Sequence, residues 1–213
     1  MTILHHQDLR TAMSATGLAE RLVVMPLLDD SQVGPASIDL RLGTEFIELH
    51  RLERKTLDPV VRDDPLFREE KIVVPLGEEL ILHPGQFVLG GTLEFLGMPL
   101  HLCGEVLNRS SWARMGLLVA TAVFVQPGYS GVLTLELVNM GNVPMTLRPG
   151  LRIAQLVVMR LEGKTELSYA HKDAKYRAPL SPQSSRLGSE AKEWDRLLRI
   201  GAALQSGQVE KGD

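Results

Sequence analysis

The sequence predicts a mainly β protein whose strands pair in antiparallel fashion. Of its 213 residues, those from about 33 to 162 form short runs rich in valine, leucine and isoleucine, separated by turn signals. No long helical pattern lies between these runs. Strands at such spacing, without intervening helices, are typical of antiparallel sandwiches, barrels and jelly rolls. The length fits one globular domain, or one domain with appendages.

Short motifs containing proline, glycine or asparagine place the turns of this β region. Five of them are evident, at residues 83–85, 97–99, 126–131, 139–142 and 148–150. We find no convincing internal repeat between them.

The residues before this region predict short helices, a strand and a surface segment. Apolar groups from Leu9 to Leu22 recur at helical spacing and end near a proline, so one or two short helices are expected. Residues 37–42 alternate between polar and apolar side chains, as a half-buried strand does. Residues 51–71 are rich in charge and proline, and we interpret them as a long surface excursion.

Beyond Tyr169 the sequence predicts a mobile segment and then a terminal helix. Lysine, arginine, proline and serine dominate residues 172–185, a composition that suits a mobile segment rather than core. From Glu190 to Gln205, apolar residues recur at helical spacing, and Ser189 is a suitable N-cap. We expect this helix to dock on its own chain or on a neighbour.

Composition and charge exclude several classes of protein. A net charge of −3 and a pI near 6.1 argue against a strongly basic nucleic-acid binder, although a local cationic pocket stays open. The single cysteine, Cys103, can form neither an internal disulfide nor a thiolate zinc site. The N-terminal residues lack the apolar core of a signal peptide, and no segment approaches the roughly 20 apolar residues of a membrane span. We therefore expect a soluble, cytoplasmic protein without a nucleic-acid or membrane partner.

The densest polar cluster of the β region consists of Arg109, Ser110, Ser111 and Arg114. Two guanidinium groups and two hydroxyls are suitable donors to phosphate or carboxylate oxygens. The alternative is a helical turn between strands with a solvated face, and chemistry alone favours that alternative.

Glu136 lies in a run of alternating residues that predicts a strand. Leu133, Leu135 and Leu137 would share one face, whereas Thr134 and Glu136 would share the other. A carboxylate among apolar neighbours would have a raised pKa and could act as a general base. The alternative is an outward-facing charge on a solvated sheet, which the strand pattern alone favours.

Two further segments could approach a ligand. Residues 126–131, which begin with Gln126, form a tight connection whose glycines permit close approach. Tyr169 and Lys175 belong to a basic and aromatic tail that could fold over an anion, although a solvated tail is the commoner outcome. The six scattered histidines and one cysteine do not supply the ligands of a zinc-dependent base deaminase.

Taken together, the order of these motifs resembles the dCTP deaminase family of the trimeric dUTPase-like superfamily. The likeness extends from about residue 4 to 186, so we expect a family domain over residues 1–188 and a helical extension over 189–213. The motifs that carry it are Gly-Pro-Ala-Ser-Ile-Asp-Leu-Arg-Leu-Gly at 34–43, Arg109-Ser110-Ser111-x-x-Arg114, Thr121-Ala122, Pro127-Gly128-Tyr129-Ser130-Gly131, Leu135-Glu136, Arg148-Pro149-Gly150 and Ala174-Lys175-Tyr176-Arg177.

The resemblance implies a distorted β-barrel or jelly-roll-like fold that assembles as a homotrimer, with active sites at subunit interfaces. It implies hydrolytic, zinc-independent deamination of dCTP to dUTP, with Mg²⁺ bound mainly through the substrate triphosphate. Some members also cleave the triphosphate to dUMP. The alternatives for this chain are a dUTPase-like or bifunctional pyrophosphatase, and a non-catalytic trimer that binds pyrimidine nucleotides.

The resemblance also assigns roles to residues. Glu136 matches the base that activates water, and the backbone around Ala122 matches the segment that holds this water. Arg109, Ser110, Ser111 and Arg114 match the nucleotide-binding stretch. The remaining substrate-binding candidates are Gln126, Thr134, Leu135, Tyr169 and Lys175.

Three positions differ from the family pattern. Gln126 stands where the family usually has an aspartate near the deoxyribose, which makes diphosphate cleavage a weaker expectation. Ala120 is the nearest match to an absent histidine. Pro179 stands where the family has a glutamine, and Gln183 is the nearest substitute.

Overall fold

The protein is represented by a computed structural model that describes residues 2–50, 68–120, 124–163, 165, 178–185 and 191–205. The chain divides into two compact units, one comprising Met1–Leu49 and Glu69–Gln183, the other His50–Arg68 and Ser184–Asp213. The predicted boundary after residue 188 lies outside the described residues, so the division into a family domain and an extension stays a prediction.

The described elements are mostly strands. They are β1 (Thr2–Ile3), β2 (Val23–Met25), β3 (Ile38–His50), β4 (Arg68–Val73), β5 (Leu80–Leu82), β6 (Phe87–Gly97), β7 (Leu102–Asn108), β8 (Leu117–Ala120), β9 (Phe124–Val125), β10 (Ser130–Asn139), β11 (Met145–Leu147) and β12 (Arg152–Arg160). The helices are α1 (His6–Ser14), α2 (Ser110–Arg114) and α3 (Ala191–Gln205), with 3₁₀ turns at Leu18–Glu20 and Asp30–Gln32.

Ten of these strands form one curled sheet. Its main path runs β8-β10-β6-β3-β12-β7-β9, with β1, β2 and β4 pairing at its sides, while β5 and β11 form a separate pair. Every pair whose register is described is antiparallel. Near the two ends of the path, Asn108 Nδ2 of β7 donates to the Leu117 carbonyl of β8 at 2.8 Å. The mainly β, barrel-like prediction is thereby confirmed.

Strand β10 shows why the alternating pattern forms this sheet. Leu133, Leu135 and Leu137 are 0–2% exposed and pack into the core, whereas Thr134 and Glu136 on the other face are half-buried. The predicted division of faces is therefore correct. Because the side-chain period of a strand is two, this register fixes which face of β10 a ligand could reach.

The prediction of one or two short helices near the N-terminus is confirmed. Helix α1 buries Leu9 completely, and the 3₁₀ turn Leu18–Glu20 follows it. Residues 68–71 are exposed, as predicted for the surface segment 51–71, but they form the first part of strand β4. Most side chains of β4 are exposed and charged, so it lacks the apolar alternation by which strands are recognised. Residues 51–67 lie outside the described part of the chain.

The segment 178–183 corrects the expectation of a mobile region over these residues. The Pro179 carbonyl accepts a hydrogen bond from Val132 N at 2.7 Å, and Gln183 N donates to Thr134 Oγ1 at 2.9 Å. Pro179 and Pro182 are buried. We call residues 178–183 the strap, because they run across the first half of β10. Its polar composition concealed that two proline rings are its packing groups.

Helix α3 confirms the terminal helix within the second unit. Its predicted cap, Ser189, lies outside the described residues. Trp194, Leu197 and Leu198 are 47–54% exposed. Among the residues that the structure describes, no helix has the length and apolar character needed to cross a membrane.

We predict that Gly131→Ala lowers the free energy of unfolding by about 2–4 kcal/mol. Gly131 has φ 147°, and an added Cβ would lie 2.4 Å from Pro179 Cδ, so both backbone strain and a clash with the strap are expected. Urea unfolding monitored by circular dichroism would measure the change.

Gly77→Ala is the matched control, because Gly77 also has a positive φ of 97° but a Cβ there would meet nothing within 4 Å. Its cost should be limited to the backbone, about 1 kcal/mol. If the two variants lose the same free energy of unfolding, the packing of Pro179 against Gly131 is contradicted.

Candidate active site

Glu136 is the chemically distinctive residue of β10. It pairs with Ala120 of β8 on one side and Leu89 of β6 on the other. Its Oε2 atom is buried and accepts no hydrogen bond from the described residues. Burial raises the pKa of this carboxyl group, and a hydrogen bond with its own backbone N–H offsets part of that effect. A buried oxygen without a donor is costly, and it is suited to accept a proton.

The residue across from Glu136 is Ala120, which stands nearest to the histidine of the family pattern. A methyl group offers no hydrogen-bond donor, in agreement with the absence of a partner for Oε2. Thr134 lies two positions earlier on the same face of β10, and its hydroxyl accepts the strap's Gln183 N–H. Leu135 points into the core and is 0% exposed, so only its backbone could contact a ligand.

A β-bulge sets the position of Thr134 relative to the sheet. The register between β10 and β6 shifts between Val132 and Thr134. At this point the Thr92 hydroxyl donates to the Glu94 carbonyl at 2.8 Å and accepts from Leu133 N at 3.0 Å. Bulges of this kind redirect the side chains that follow them.

The second group of candidate residues lies on helix α2. The Trp112 indole Nε1 donates to the Arg152 carbonyl at 2.8 Å, and Arg109 Nη1 donates to the same oxygen at 3.4 Å. These bonds fix the helix against the start of β12. Ser110, Ser111 and Arg114 are exposed. The five-residue helix matches the helical turn that was the alternative interpretation of this cluster, so geometry alone leaves its binding role a prediction.

A cavity of about 480 Å³ opens beside α2. Arg41, Arg109 and Arg152 line it together with Ser111, Trp112 and two apolar side chains. This volume is within the range of small-molecule sites, and three guanidinium groups favour an anionic ligand. Glu136 is not among the residues that line it.

Two aspartates hold the arginines of this cavity. Asp29 accepts from Arg152 Nη2 at 2.7 Å and from Arg41 Nη2 at 2.6 Å. The Ser31 hydroxyl and Arg152 lower the pKa of Asp29 to about 2 by hydrogen bonding, and the charges of both arginines add to this. Asp39 Oδ2 accepts from Arg152 Nη1 at 3.2 Å, so Arg152 bridges both carboxylates.

The predicted site residues therefore fall into two groups within one chain. Arg109 and Ser111 line the cavity, whereas Thr134 and Glu136 share one face of β10. Gln126 is exposed in the turn before β10. The remaining candidates Ala122, Tyr169 and Lys175 lie outside the described residues.

Sequence reasoning missed four residues that shape the cavity. Asp39 and Arg41 belong to the motif at residues 34–43, but the sequence assigned them no role in a site. Asp29 and Arg152 were not predicted as site residues. The sequence around these residues shows an alternating strand pattern and a Pro-Gly turn. Neither pattern indicates which charged residues, distant in sequence, form ion pairs.

Comparison with known proteins shows the family to which the chain belongs. The family model described as dCTP deaminase-like matches residues 3–161. The chain belongs to the dCTP deaminase-like family. A dCTP deaminase of Halorubrum lacusprofundi is 44% identical over 172 residues, covering 79% of this chain and 85% of the relative. A dUMP-forming dCTP deaminase of Methanobrevibacter smithii is 39% identical over 170 residues, covering 78% and 88%.

A solved structure supports the fold. The crystal structure of 2'-deoxycytidine 5'-triphosphate deaminase from Agrobacterium tumefaciens is 26% identical and superposes with a TM-score of 0.57. The superposition covers 75% of this chain and 48% of that chain, so this chain spans about half the length of that structure. The mainly β fold expected for a dCTP deaminase-like protein is thus observed.

We predict that Asp29→Asn destabilises the protein at pH 6 and much less near pH 2. A carboxylate with a pKa lowered to about 2 stabilises the fold above its ordinary pKa near 4, and this contribution is lost as the pH falls through 2. Urea unfolding of the wild type and the variant across this range would measure it.

Asp30→Asn is the control, because the Asp30 side chain is 90% exposed and pairs with Arg10 at the surface. Its effect should be small at every pH. If the difference in free energy of unfolding between the wild type and Asp29→Asn is the same at pH 6 and at pH 2, the prediction is contradicted.

Proposed function

We propose that the protein hydrolyses dCTP to dUTP and ammonia, with Glu136 as the general base. The observation that carries the proposal is the buried Oε2 of Glu136, which has no hydrogen-bond partner among the described residues. Relatives named dCTP deaminase, at 41–44% identity over most of the chain, support the reaction class.

The reaction needs a positioned base and a water molecule. A water oxygen forms a bond to C4 of the cytosine while Glu136 accepts the water proton. The carboxyl group delivers this proton to N3 of the ring, then takes up the proton of the new C4 hydroxyl and passes it to the departing amine. The C4–N bond breaks to release ammonia, which leaves the C4 carbonyl and the N3–H of uracil. Burial favours the first step, because a carboxylate with a raised pKa is a stronger base toward the water proton than an exposed one.

Binding of the nucleotide is assigned to the remaining candidates. Arg109, Ser110, Ser111 and Arg114 provide donors suited to phosphate oxygens. The backbone near Ala122 would hold the water, Gln126 would contact the sugar, and Thr134 with the backbone of Leu135 would border the base. Tyr169 and Lys175 would close over the triphosphate. Magnesium is part of the substrate, bound through phosphate oxygens and water.

A homotrimer is part of the proposal. Within one chain Glu136 does not line the arginine cavity, and no donor among the described residues reaches its Oε2. Assembly would allow a neighbouring subunit to complete the site around this carboxylate. We also propose a cytoplasmic location, with no nucleic-acid or membrane partner.

We predict that Glu136→Gln lowers kcat for ammonia release by about 10²–10⁴-fold. The amide keeps the shape of the side chain but cannot accept the water proton. Calorimetry should show that the variant still binds dCTP. Glu105→Gln on the exposed face of β7 is the matched control and should retain wild-type turnover. Turnover retained by Glu136→Gln would rule out its role as the base.

A bifunctional reaction is the second candidate, because several relatives at 39–40% identity are named dUMP-forming dCTP deaminases. Gln126 argues against it, since glutamine lacks the charge of the aspartate that the family pattern has there. We predict that magnesium and dCTP yield dUTP and ammonia in equal amounts without pyrophosphate.

Chromatography of products from dCTP, CTP and dUTP would test this prediction. Direct formation of dUMP would show that diphosphate cleavage survives with Gln126. Nucleotide binding without any product from the three substrates would instead favour a non-catalytic binding protein.

A further inference from the structure

The three arginines of the cavity differ in how many donors they have free. All three guanidinium nitrogens of Arg41 are engaged, with Gln32 Oε1 at 3.2 Å, the Gly150 carbonyl at 2.8 Å and Asp29 at 2.6 Å. Arg152 donates from both Nη atoms to carboxylate oxygens of Asp29 and Asp39. Neither arginine can turn toward a ligand without breaking these bonds.

Arg109 is the exception. Its Nη1 makes one long bond of 3.4 Å to the Arg152 carbonyl, and its Nη2 has no partner among the described residues. Its Nε lies 3.7 Å from Asp39 Oδ1. Of the three guanidinium groups, that of Arg109 therefore has donors available to an anion while its Nε side faces a carboxylate.

Asp39 is itself held independently of Arg109. Its side chain is 11% exposed, Oδ2 accepts from Arg152 Nη1 at 3.2 Å, and Oδ1 accepts from Gln155 Nε2 at 3.2 Å. Because β3 and β12 pair directly at Asp39 and Gln155, this carboxylate is fixed by the centre of the sheet. A fixed acceptor restricts the rotamers of the long arginine side chain beside it.

We propose that Asp39 is a positioning residue that holds Arg109 by its Nε side, so that the Nη groups present their donors to an oligophosphate in the cavity. The inference rests on the proposed function in one respect, because the physiological anion would be the triphosphate of dCTP. Asp39 itself touches no substrate in this arrangement.

Charge alone makes the opposite prediction. Three arginines and two aspartates give the cavity surroundings a net charge of +1, and removing the charge of Asp39 would raise it to +2. If Asp39 acted only through its field, Asp39→Asn would strengthen the binding of anions. If Asp39 positions Arg109, the same change weakens binding, so the sign of the effect separates the two roles.

The test is calorimetric titration of the full-length protein with inorganic tripolyphosphate in magnesium. We expect Asp39→Asn to weaken binding about fivefold to tenfold. Asp39→Glu keeps the charge but moves the carboxylate by one methylene, and it should weaken binding as well. Asp30→Asn removes a neighbouring exposed charge without touching Arg109, and it should bind at least as tightly as the wild type.

A double variant makes the test specific to Arg109. In an Arg109→Gln background, Asp39→Asn should not weaken tripolyphosphate binding further. If Asp39→Asn weakens binding in this background as much as it does in the wild type, the proposal is overturned. Unchanged or tighter binding by Asp39→Asn or Asp39→Glu would overturn it, and so would a wild type that does not bind tripolyphosphate. Melting temperatures identify variants that fail to fold, and Asp39→Glu then carries the test.

Kinetics with dCTP separate this inference from the proposed function. Asp39→Asn should raise KM by a similar factor and change kcat less than threefold, because Glu136 and the base are unaffected. A wild type without dCTP turnover would end the proposed function, yet the tripolyphosphate comparison would still decide the role of Asp39. An unchanged KM in an active Asp39→Asn enzyme would overturn the role of Asp39 alone.

Discussion

The contacts of Arg152 join the parts of the molecule on which the candidate site depends. Its carbonyl accepts from Trp112 and Arg109 of α2, while its guanidinium donates to Asp29 and Asp39. A short helix of five residues has little intrinsic stability, since nucleation costs more than so few backbone bonds return. The placement of α2 therefore depends on this residue of β12, and the cavity beside α2 depends on it too.

Two buried carboxyl groups illustrate how the same fold uses one chemical group in two ways. Glu94 is 0% exposed, and its oxygens accept from Gln32 Nε2 at 2.9 Å and from Arg41 N at 2.8 Å. Burial raises the pKa of Glu94 as it does that of Glu136. Both oxygens of Glu94 accept hydrogen bonds, whereas Oε2 of Glu136 has no donor among the described residues. That difference, rather than burial itself, makes Glu136 the candidate for a general base.

Local patterns determined what the sequence could predict. The alternation around Glu136 predicted β10 and the face of its carboxylate, and the Arg109 cluster predicted a polar turn that is indeed helical. The ion pair of Asp29 with Arg152 joins residues 123 positions apart, and no periodicity reports such a pairing. The register shift opposite Thr92 was equally hidden, because the alternating pattern of β10 does not report the hydrogen bonds of the Thr92 hydroxyl with Glu94 and Leu133.

The strap shows how the fold accommodates Pro179. Pro179 stands where the pattern has glutamine, and its carbonyl accepts the Val132 N–H while its ring packs where Gly131 has no side chain. Proline suits this position because it contributes an acceptor and fixes φ without adding a donor that would need a partner. Gly131 therefore leaves the space that the Pro179 ring occupies, since a Cβ at position 131 would clash with that ring. The strap also supplies the Gln183 N–H, which donates to the Thr134 hydroxyl on the face of β10 that carries Glu136.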